Sequence, residues 1–474
     1  MTTELEKKML HYFADACILK NKETKSVFSG MNLPSFIKDF IIKRFTDRDG
    51  RLDKDGLWSF LERYLPKKDE DIPSELLKTQ AERKVLTNFF VSPDISKGIF
   101  RFSIDDLKIK LKDGIVSPYL IDTCEELKGG EHWGTVTLHF VQPEGKEKGY
   151  IELSKFYPFR PYKMNLESYR FIRSNFTTEE WIDVLLRSME YEPSRFESTQ
   201  QKLRFISRLL VFVEPNLNLV ELAPPGTGKS FVFGTLSKHG WMVSGGVVSR
   251  ARLFYDMQQN TKGAIARYDF VTMDEIHKIR FTDPNEIQSA LQTYLEFGWT
   301  TVGNVRIDSK AGLMLLGNID FTDDNTPRNK RYFSDLPEMF SDPAFLDRFH
   351  GFIEGWLLPR ITEDMLVNGW TLNAEYFTET LSMLREQSEY AMVCNELITV
   401  PKGADLRDTK AIIRIATGLL KLLFPHVTKA SDISKEDFNT FCFLPAMHMR
   451  SIIRKQIHII SPNLNERLPE LTVL

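Results

Sequence analysis

The strongest indication of the fold of this chain is one loop sequence, Glu221-Leu-Ala-Pro-Pro-Gly-Thr-Gly-Lys-Ser230. The apolar run at 217–222 predicts a strand before the loop, and residues 230–237 predict a helix after it. Gly226 and Gly228 let the backbone curl, so that successive N–H groups point toward phosphate oxygens. This pattern predicts a nucleotide-binding loop in an α/β domain built on a parallel sheet.

The loop carries the groups that a nucleoside triphosphate requires. The backbone of Gly226, Thr227 and Gly228 would bind the phosphates of ATP. Lys229 would reach the β- and γ-phosphates, and the hydroxyl of Ser230 would bind Mg²⁺.

One position departs from the usual pattern, because Ala223 stands where the first glycine of such a loop is expected. A methyl group fits there if φ is negative, and glycine matters more where the backbone faces phosphate. We therefore expect Ala223 to be tolerated. The alternative is a chance match in an ordinary Gly/Pro turn.

Two further apolar runs end in polar side chains. Residues 268–275 end in Asp274 and Glu275. Asp274 would hold Mg²⁺ through water, and Glu275 would orient and polarise the attacking water. An acidic surface turn is the alternative, but it does not explain why both this run and the loop's strand end at the spacing of a parallel sheet. The run at 313–318 ends in Asn318, which would position the water or contact the γ-phosphate, unless it only forms a turn.

Arg348 is a candidate arginine finger. It lies in Asp342-Pro-Ala-Phe-Leu-Asp-Arg-Phe-His350 and would stabilise charge on the transferred phosphoryl group. The alternative is a surface ion pair of Arg348 with Asp347 or Asp342.

Four features, in their order along the chain, resemble the AAA+ ATPases. They are the loop, the acidic strand end at Asp274 and Glu275, the strand end at Asn318, and Asp347-Arg348-Phe349. Within the AAA+ ATPases the chain resembles the Lon-related, BrxL-like family of BREX phage-defence systems. The segments that carry this likeness are 176–183, 213–218, 243–246, 251–254 and 345–349. The resemblance implies an α/β AAA+ P-loop ATPase, with a parallel sheet, flanking helices and a helical lid, preceded by a helical and β-rich N-terminal region.

The resemblance also implies assemblies similar to the rings of minichromosome maintenance helicases, with double-stranded DNA passing through them. In AAA+ rings the finger acts on the nucleotide of the neighbouring subunit, so Arg348 implies a homo-oligomer, either a hexameric ring or a stacked double hexamer. Other BREX defence proteins are implied as partners. Residues 406–414 resemble the lid helix that carries a second arginine sensor, and Arg407 is a better candidate for ATP binding than Arg414. Solvation of an amphipathic helix is the alternative for both.

Longer Lon-related members continue past the lid into a domain similar to the Lon protease. Here only residues 461–474 follow the last predicted helix, too few to aim a serine at a lysine. We therefore expect no peptidase activity from this chain.

Two groups of cations are candidates for DNA contact. Gly303 and Asn304 predict a tight turn between two β-runs, placed like the pore-lining hairpin of helicase-like AAA+ proteins, with Arg306 and Lys310 available to phosphates. The alternating run at 107–112 predicts a strand, and its cations are Lys108, Lys110 and Lys112. The alternatives are a plain solvated hairpin and an edge strand protected by lysines.

Composition and periodicity suggest the organisation of the 474 residues. The predicted regions are 1–95 (helical, starting with one amphipathic face over 4–20), 96–192 (β-rich, compatible with an oligonucleotide-binding barrel), 193–360 (ATPase core) and 361–474 (helical lid). A net charge of -3 means that DNA would be held by local basic patches. The four cysteines are far apart, and neither a signal peptide nor a membrane span is predicted, so we expect a cytoplasmic protein without a membrane partner.

Two other functions fit the same motifs. An ATP-driven protein unfoldase would show an exposed aromatic and apolar pore loop, and the Arg306 hairpin argues mildly against it. A nucleotide-gated DNA-binding scaffold would hardly turn over, and an intact Glu275 argues against that.

Overall fold

The computed structural model describes residues 2–31, 33–47, 51–67, 70–143, 145, 148–158, 164–258, 260–322, 326–334 and 336–474. It divides into two compact units, one formed by residues 1–40 with 164–474 and the other by residues 41–163. Its helices are α1 Glu4–Phe13, α2 Lys22–Ser26, α3 Ser35–Phe45, α4 Lys54–Tyr64, α5 Ile72–Thr79, α6 Pro118–Thr123, α7 Leu166–Arg173, α8 Thr178–Ser188, α9 Thr199–Ile206, α10 Leu210–Val213, α11 Lys229–Thr235, α12 Arg250–Leu253, α13 Pro284–Phe297, α14 Pro343–Leu346, α15 Ala374–Arg385, α16 Glu389–Leu397, α17 Leu406–Leu423, α18 Lys435–Phe438 and α19 Leu444–Ile460.

The strands run through both units. They are β1 Cys17–Lys20, β2 Arg83–Asp94, β3 Ile99–Ser103, β4 Gly114–Val116, β5 Gly130–Val141, β6 Tyr150–Pro158, β7 Asn218–Leu222, β8 Gly240–Val248, β9 Tyr255–Asp256, β10 Thr261–Lys262, β11 Phe270–Phe281, β12 Trp299–Val302, β13 Val305–Asp308, β14 Gly312–Gly317, β15 Gly351–Glu354, β16 Gly369–Leu372, β17 Ile398–Thr399 and β18 Thr472–Val473.

The smaller unit is built around a closed barrel in the order β2-β3-β4-β6-β5. Strand β2 pairs antiparallel with β3 and β5, whereas β4 pairs in parallel with β6. Alternate residues of these strands face inward, as expected for a small barrel, and form a buried core with Phe89, Phe102, Val136, Leu138 and Leu153 among its members. The first strand of the barrel begins at Arg83. The alternation of apolar and polar residues had predicted strands only from residue 96.

The predicted strand at 107–112 is wrong. Residues Asp105–Leu107 form a single helical turn, and Lys108 has a φ of 57°. This turn reverses the chain, so that Leu107 and Ile109 are buried while Lys108, Lys110 and Lys112 stay exposed. Alternating burial therefore arises here from a turn, without a strand.

The larger unit contains a five-stranded sheet in the order β15-β7-β14-β11-β8. Each neighbouring pair in this sheet is parallel. Every residue of β7 and β14 is buried, because the central strands of such a sheet are covered by helices on both faces. Strand β11 runs past its predicted end at residue 275 to Phe281, but its pairing with β14 stops at Met273 and its pairing with β8 shifts register after Asp274. This point of β11 and the residues that follow β7 and β14 lie at one edge of the sheet.

The amino-terminal segment differs from the predicted single helix over 4–20. Helix α1 ends at Phe13, because Ala14 adopts a φ of 40°. Cys17–Lys20 instead form β1, which pairs antiparallel with β16. Pairing with a strand that is distant in sequence favours a strand here, in spite of the helical spacing of the apolar residues. Local sequence patterns do not show such a partner.

Helix α8 begins with a capping box, in which the Thr177 hydroxyl accepts from the Glu180 N–H and the Glu180 carboxylate accepts from the Thr177 N–H. Helices α15 to α19 follow the sheet and pack beside it. Among the described residues, no helix has the length and apolar content that crossing a bilayer would require.

Candidate functional site

The loop between β7 and α11 is held in the conformation that its glycines predict. Gly226 and Gly228 have φ values of 86° and 76°, in the left-handed region. The N–H of Ile361 donates to the carbonyl oxygen of Gly226 over 2.8 Å. A Cβ atom at Gly228 would lie only 2.5 Å from the hydroxyl oxygen of Tyr191, so no side chain fits there.

Ala223 fits the loop without strain. It is fully buried, and its φ is not among the positive values of the described residues. This is the condition under which a methyl group was expected to replace the first glycine.

Lys229 and Asn318 meet at the carboxyl edge of the sheet. The Nζ of Lys229 donates to Oδ1 of Asn318 over 3.0 Å and to the carbonyl oxygen of Pro224 over 3.2 Å. Burial lowers the pKa of Lys229, and the nearby guanidinium of Arg208 acts in the same direction. The ammonium thus lies in a largely desolvated place, where an added anion would interact with it strongly.

Ser230 and Asp274 also come together. The hydroxyl of Ser230 donates to Oδ2 of Asp274 over 2.6 Å, and the other carboxylate oxygen accepts from the N–H of Glu275 over 2.8 Å. Asp274 is buried. The arrangement presents a hydroxyl and a carboxylate oxygen side by side, and both are hard oxygen ligands.

Glu275 has an unusual backbone. Its φ is 50°, and the pairing of β11 with β8 shifts register between Asp274 and Ile279. A left-handed glutamate costs about 1–3 kcal/mol, and such strain clusters at functional sites. The bulge turns Glu275 away from the regular pleat, and its carboxylate pairs with Lys278 over 2.7 Å.

A buried ion pair holds the loop, and sequence patterns did not indicate it. Arg208 donates to both carboxylate oxygens of Glu221, over 2.6 and 2.9 Å, and to the carbonyl oxygen of Thr227 over 2.9 Å. Neither side chain of the pair is exposed to solvent. The signal that could have found it is Glu221 itself, a charged residue within an otherwise apolar strand.

Arg360 is a second side chain that sequence patterns did not indicate. It lines a pocket of about 360 Å³ together with Pro224, Pro225, Thr227, Trp356 and Leu358. Its side chain lies against Gly226, and it forms no ion pair with any described residue. A guanidinium that has no ion-pair partner among the described residues therefore lies beside the loop.

Arg348 lies at the opposite edge of the sheet. Strands β15 and β7 are parallel, with Gly351 beside Leu219 and Glu354 beside Leu222. Arg348 precedes β15, whereas the loop follows β7, so the strands separate the two. Arg348 bonds to the carbonyl oxygen of Ala344, and its Nε lies 3.5 Å from Glu296. It forms no ion pair with Asp347 or Asp342 within the described part of the chain.

The structure does not bring Arg407 to the loop of its own chain. Arg407 pairs with Glu296 over 2.8 Å and with Asp347 over 3.1 Å, in the neighbourhood of Arg348. Burial opposes the charge of Arg407, but hydrogen bonds to Asp347 and Glu296 outweigh it and raise its pKa. Arg414 donates to the carbonyl oxygen of Asn216 over 3.0 Å.

The candidate DNA hairpin is present as β12 and β13. Val302 pairs with Val305 across the turn, and Gly303 has a φ of 59° there. Arg306 pairs with Asp308 over 2.8 Å and lies 4.5 Å from the ring centroid of Trp299. Lys310 pairs with Glu386 over 2.7 Å. All these cations remain exposed to solvent.

Two protein-family models match this chain. The family model described as "Lon-like protease BrxL-like, ATPase domain" matches residues 151–468, and the model "BREX system Lon protease-like protein BrxL N-terminal" matches residues 11–140.

Two curated proteins are similar to almost the whole chain. One is a Lon-like protease BrxL of Escherichia coli O9:H4 (strain HS), which is 28% identical over 459 residues, 96% of this chain and 65% of that protein. The other is a Lon-like protease BrxL of Bacillus cereus (strain H3081.97), 28% identical over 432 residues, 89% of this chain and 63% of that protein. The chain thus spans slightly less than two thirds of the length of these relatives. Because one family model covers most of the chain, the protein belongs to the BrxL-like ATPase family.

Proposed function

We propose that this protein is an ATP-driven AAA+ ring motor that binds double-stranded DNA and acts in BREX-type defence against phages. The observation that carries the proposal is the convergence of Lys229, Ser230, Asp274, Glu275 and Asn318 at one edge of a parallel sheet. Membership of the BrxL-like ATPase family and two relatives named BrxL support it.

Each side chain of this edge takes a role in hydrolysis. Lys229 binds the β- and γ-phosphates, and Asn318, now its hydrogen-bond partner, turns toward the γ-phosphate or the attacking water. Glu275 orients that water and accepts its proton. Lys278 pairs with one oxygen of this carboxylate, Oε1.

The residues of the site fit a magnesium ion. Mg²⁺ is usually held by one or two protein oxygens together with substrate phosphates and water, and the oxygens of Ser230 and Asp274 lie side by side. Ser230 would bind the ion directly and Asp274 through water. When bound, Mg²⁺ neutralises charge on the phosphates.

The place of Arg348 supports a closed assembly of identical subunits. Its own loop lies at the other edge of the sheet, so Arg348 serves a nucleotide only if a neighbouring subunit presents one. A head-to-tail interface of this kind generates rings when the rotation closes. We expect a hexamer or a stacked pair of hexamers, with Arg407 delivered to the same junction as Arg348.

Two features of the chain support DNA as the polymer that the motor grips. The exposed hairpin β12–β13 carries Arg306 and is followed by Lys310, and phosphate contacts need such cations. The smaller unit has five strands in a closed barrel, the strand number of the oligonucleotide-binding fold. The exposed Lys108, Lys110 and Lys112 are further candidates on this unit.

The test is ATP hydrolysis measured with and without duplex DNA, together with the native mass of the assembly. We expect hydrolysis that rises with duplex DNA and a mass that is a multiple of six chains. A monomer, or a rate that responds to an unfolded protein and not to DNA, would contradict the proposal, and the second result would favour an unfoldase. Very slow turnover with tight DNA binding would favour a scaffold.

The word protease in the names of the relatives is said of those proteins, and this chain spans slightly less than two thirds of their length. We propose that the 474 residues have no peptidase activity. Incubation with labelled casein and ATP should therefore release no peptides, and ATP-dependent release would contradict this.

A further inference from the structure

Two arginines from distant parts of the chain converge on one carboxylate oxygen. Oε2 of Glu296 lies 2.8 Å from a terminal nitrogen of Arg407 and 3.5 Å from Nε of Arg348. Arg348 precedes β15, and Arg407 lies in the first turn of α17. One acidic side chain thus holds both arginines that the ring would present to a neighbouring nucleotide.

The hold on Arg348 is incomplete. Its Nε is buried and makes no hydrogen bond with any residue in the described ranges, because the approach to Glu296 lacks hydrogen-bond geometry. Arg407 is more exposed, with 41% of its side chain open to solvent. Both guanidinium groups therefore retain donors that a phosphate could take.

The same carboxylate lies next to the hairpin. Glu296 is in the last turn of α13, which ends at Phe297, and β12 begins at Trp299. The rings of Phe297 and Trp299 stack at 5.9 Å, and Arg306 of β13 lies over Trp299. Arg306, Trp299 and Phe297 are therefore in contact, and Phe297 directly follows in the chain the glutamate that pairs with Arg348 and Arg407.

We infer that Glu296 is a positioning residue that couples the hairpin to the two interface arginines. DNA at the hairpin displaces Trp299 and the last turn of α13, and this moves Glu296 relative to Arg348 and Arg407. The arginines are then placed to bind the phosphates of the neighbouring subunit. The inference rests on the proposed function and adds a route by which DNA controls hydrolysis.

The simpler explanation is that Glu296 only fastens α17 to the sheet domain. In that case its loss would lower thermal stability and affect hydrolysis equally with and without DNA. Coupling instead predicts a specific loss of the DNA response, without a change in how the subunit's own loop binds ATP, because no atom of Glu296 contacts that loop.

The experiment compares Glu296→Gln, Glu296→Asp and Glu286→Gln with the parent protein. Glu286 is a matched control, since it is an exposed, ion-paired glutamate in the first turn of the same helix. For Glu296→Gln we expect kcat with duplex DNA to fall at least about tenfold, the ratio of rates with and without DNA to approach one, and KM for ATP to stay within about twofold. Glu296→Asp should restore part of the DNA response, and Glu286→Gln should behave like the parent.

Outcomes that contradict coupling are equally clear. Full stimulation of hydrolysis by DNA in Glu296→Gln overturns the inference. It is also overturned if Glu286→Gln loses as much of the DNA stimulation as Glu296→Gln, or if Glu296→Gln lowers the rate by the same factor with and without DNA. A parent protein that neither binds nor responds to DNA overturns the proposed function itself, which distinguishes that failure from a failure of coupling.

Mixed assemblies supply a second measurement that tolerates weakened stability. Glu296→Gln subunits keep an intact loop, whereas Lys229→Ala subunits keep intact arginines. Mixing the two should yield a DNA-stimulated rate above the sum of the separate rates, because each good loop can meet good arginines from a neighbour. No gain on mixing overturns the inference.

Discussion

The hydroxyl of Ser230 lies 2.6 Å from the carboxylate of Asp274, although 44 positions separate the two residues in the chain. The contact exists because β7 and β11 belong to one parallel sheet. Ser230 follows the loop after β7, and Asp274 lies in β11 directly after the residues that pair with β14. The same edge of the sheet receives Lys229 and Asn318.

Replacement of Glu275 by Gln should separate binding from hydrolysis. Under the proposed function the amide could not accept the proton of the attacking water, while Lys229 and Ser230 would still bind the nucleotide. We expect ATP binding within about threefold of the parent and hydrolysis reduced at least about 100-fold. Fluorescent ATP titration and phosphate release measure the two quantities.

Glu338→Gln is the control for this change, because it alters an exposed glutamate outside the site. Normal hydrolysis by Glu275→Gln would show that another group accepts the proton.

Replacement of Arg348 by Ala should impair hydrolysis at the junction between subunits. In the proposed assembly the guanidinium would stabilise charge on the transferred phosphoryl group, and arginine fingers are worth about 10³-fold or more. We expect a loss of this size in kcat, with the native mass unchanged. Arg467→Ala, at an exposed position, is the control. A monomeric variant, or an unchanged kcat, would contradict the assignment.

Much of the candidate site could be predicted because its residues follow strands with strong apolar patterns. The loop, Asp274, Glu275 and Asn318 each come after a buried run, and a parallel sheet brings such strand ends together. The hairpin β12–β13 was predictable for a similar reason, since Gly303 and Asn304 mark a two-residue turn between alternating runs.

Other features depend on contacts that no local pattern encodes. Strand β1 forms because β16 pairs with it. The chain reverses direction in one turn at Lys108, where the alternating pattern of the sequence predicted a strand. The convergence of Arg348 and Arg407 on Glu296 joins three separate elements. Only the folded chain could show that Arg407 lies with Arg348 and away from its own loop.

DNA binding should depend on the cations of the hairpin. Arg306 and Lys310 are exposed and paired with Asp308 and Glu386, so phosphates would replace these carboxylates. The double variant Arg306→Gln and Lys310→Gln should bind duplex DNA more weakly and should lower the slope of log affinity against log salt by about 0.9 for each lost phosphate contact. Fluorescence anisotropy at several salt concentrations measures both.

Lys435→Gln, an exposed lysine on α18, serves as the control for charge alone. An unchanged salt slope in the double variant would remove the hairpin as a DNA contact and leave the lysines of the barrel unit as candidates.

The buried pair of Arg208 and Glu221 should matter for stability. Arg208→Leu leaves the carboxylate of Glu221 without its cation in a fully buried place. We expect a loss of about 3–5 kcal/mol in the free energy of unfolding, seen as a lower midpoint in urea or on heating. The double variant Arg208→Leu and Glu221→Leu should lose less, since no charge remains unpaired. Equal losses in both would show that the bond of Arg208 to Thr227 dominates instead.

Acid should weaken the sheet domain through His350. Its Nδ1 accepts from the N–H of Asn218 over 3.0 Å, and burial together with the charges of Arg414 and Arg450 holds its pKa well below the usual 6.5. The unfolded chain therefore takes up a proton first as the pH falls. The stability that the neutral imidazole contributes is complete above about pH 6.5 and declines below it, by at most about 1.4 kcal/mol per pH unit for one proton.

The measurement is the unfolding midpoint of the parent and of His350→Gln at pH 7.5, 6.5 and 5.5. Glutamine keeps an acceptor for the Asn218 N–H but takes up no proton in this range, so the variant should lose less stability on acidification than the parent. Burial also lowers the pKa of His426, to about 4, and this residue is the same in both proteins. The difference between the two pH profiles therefore isolates His350, and identical profiles would show that its protonation is not linked to unfolding.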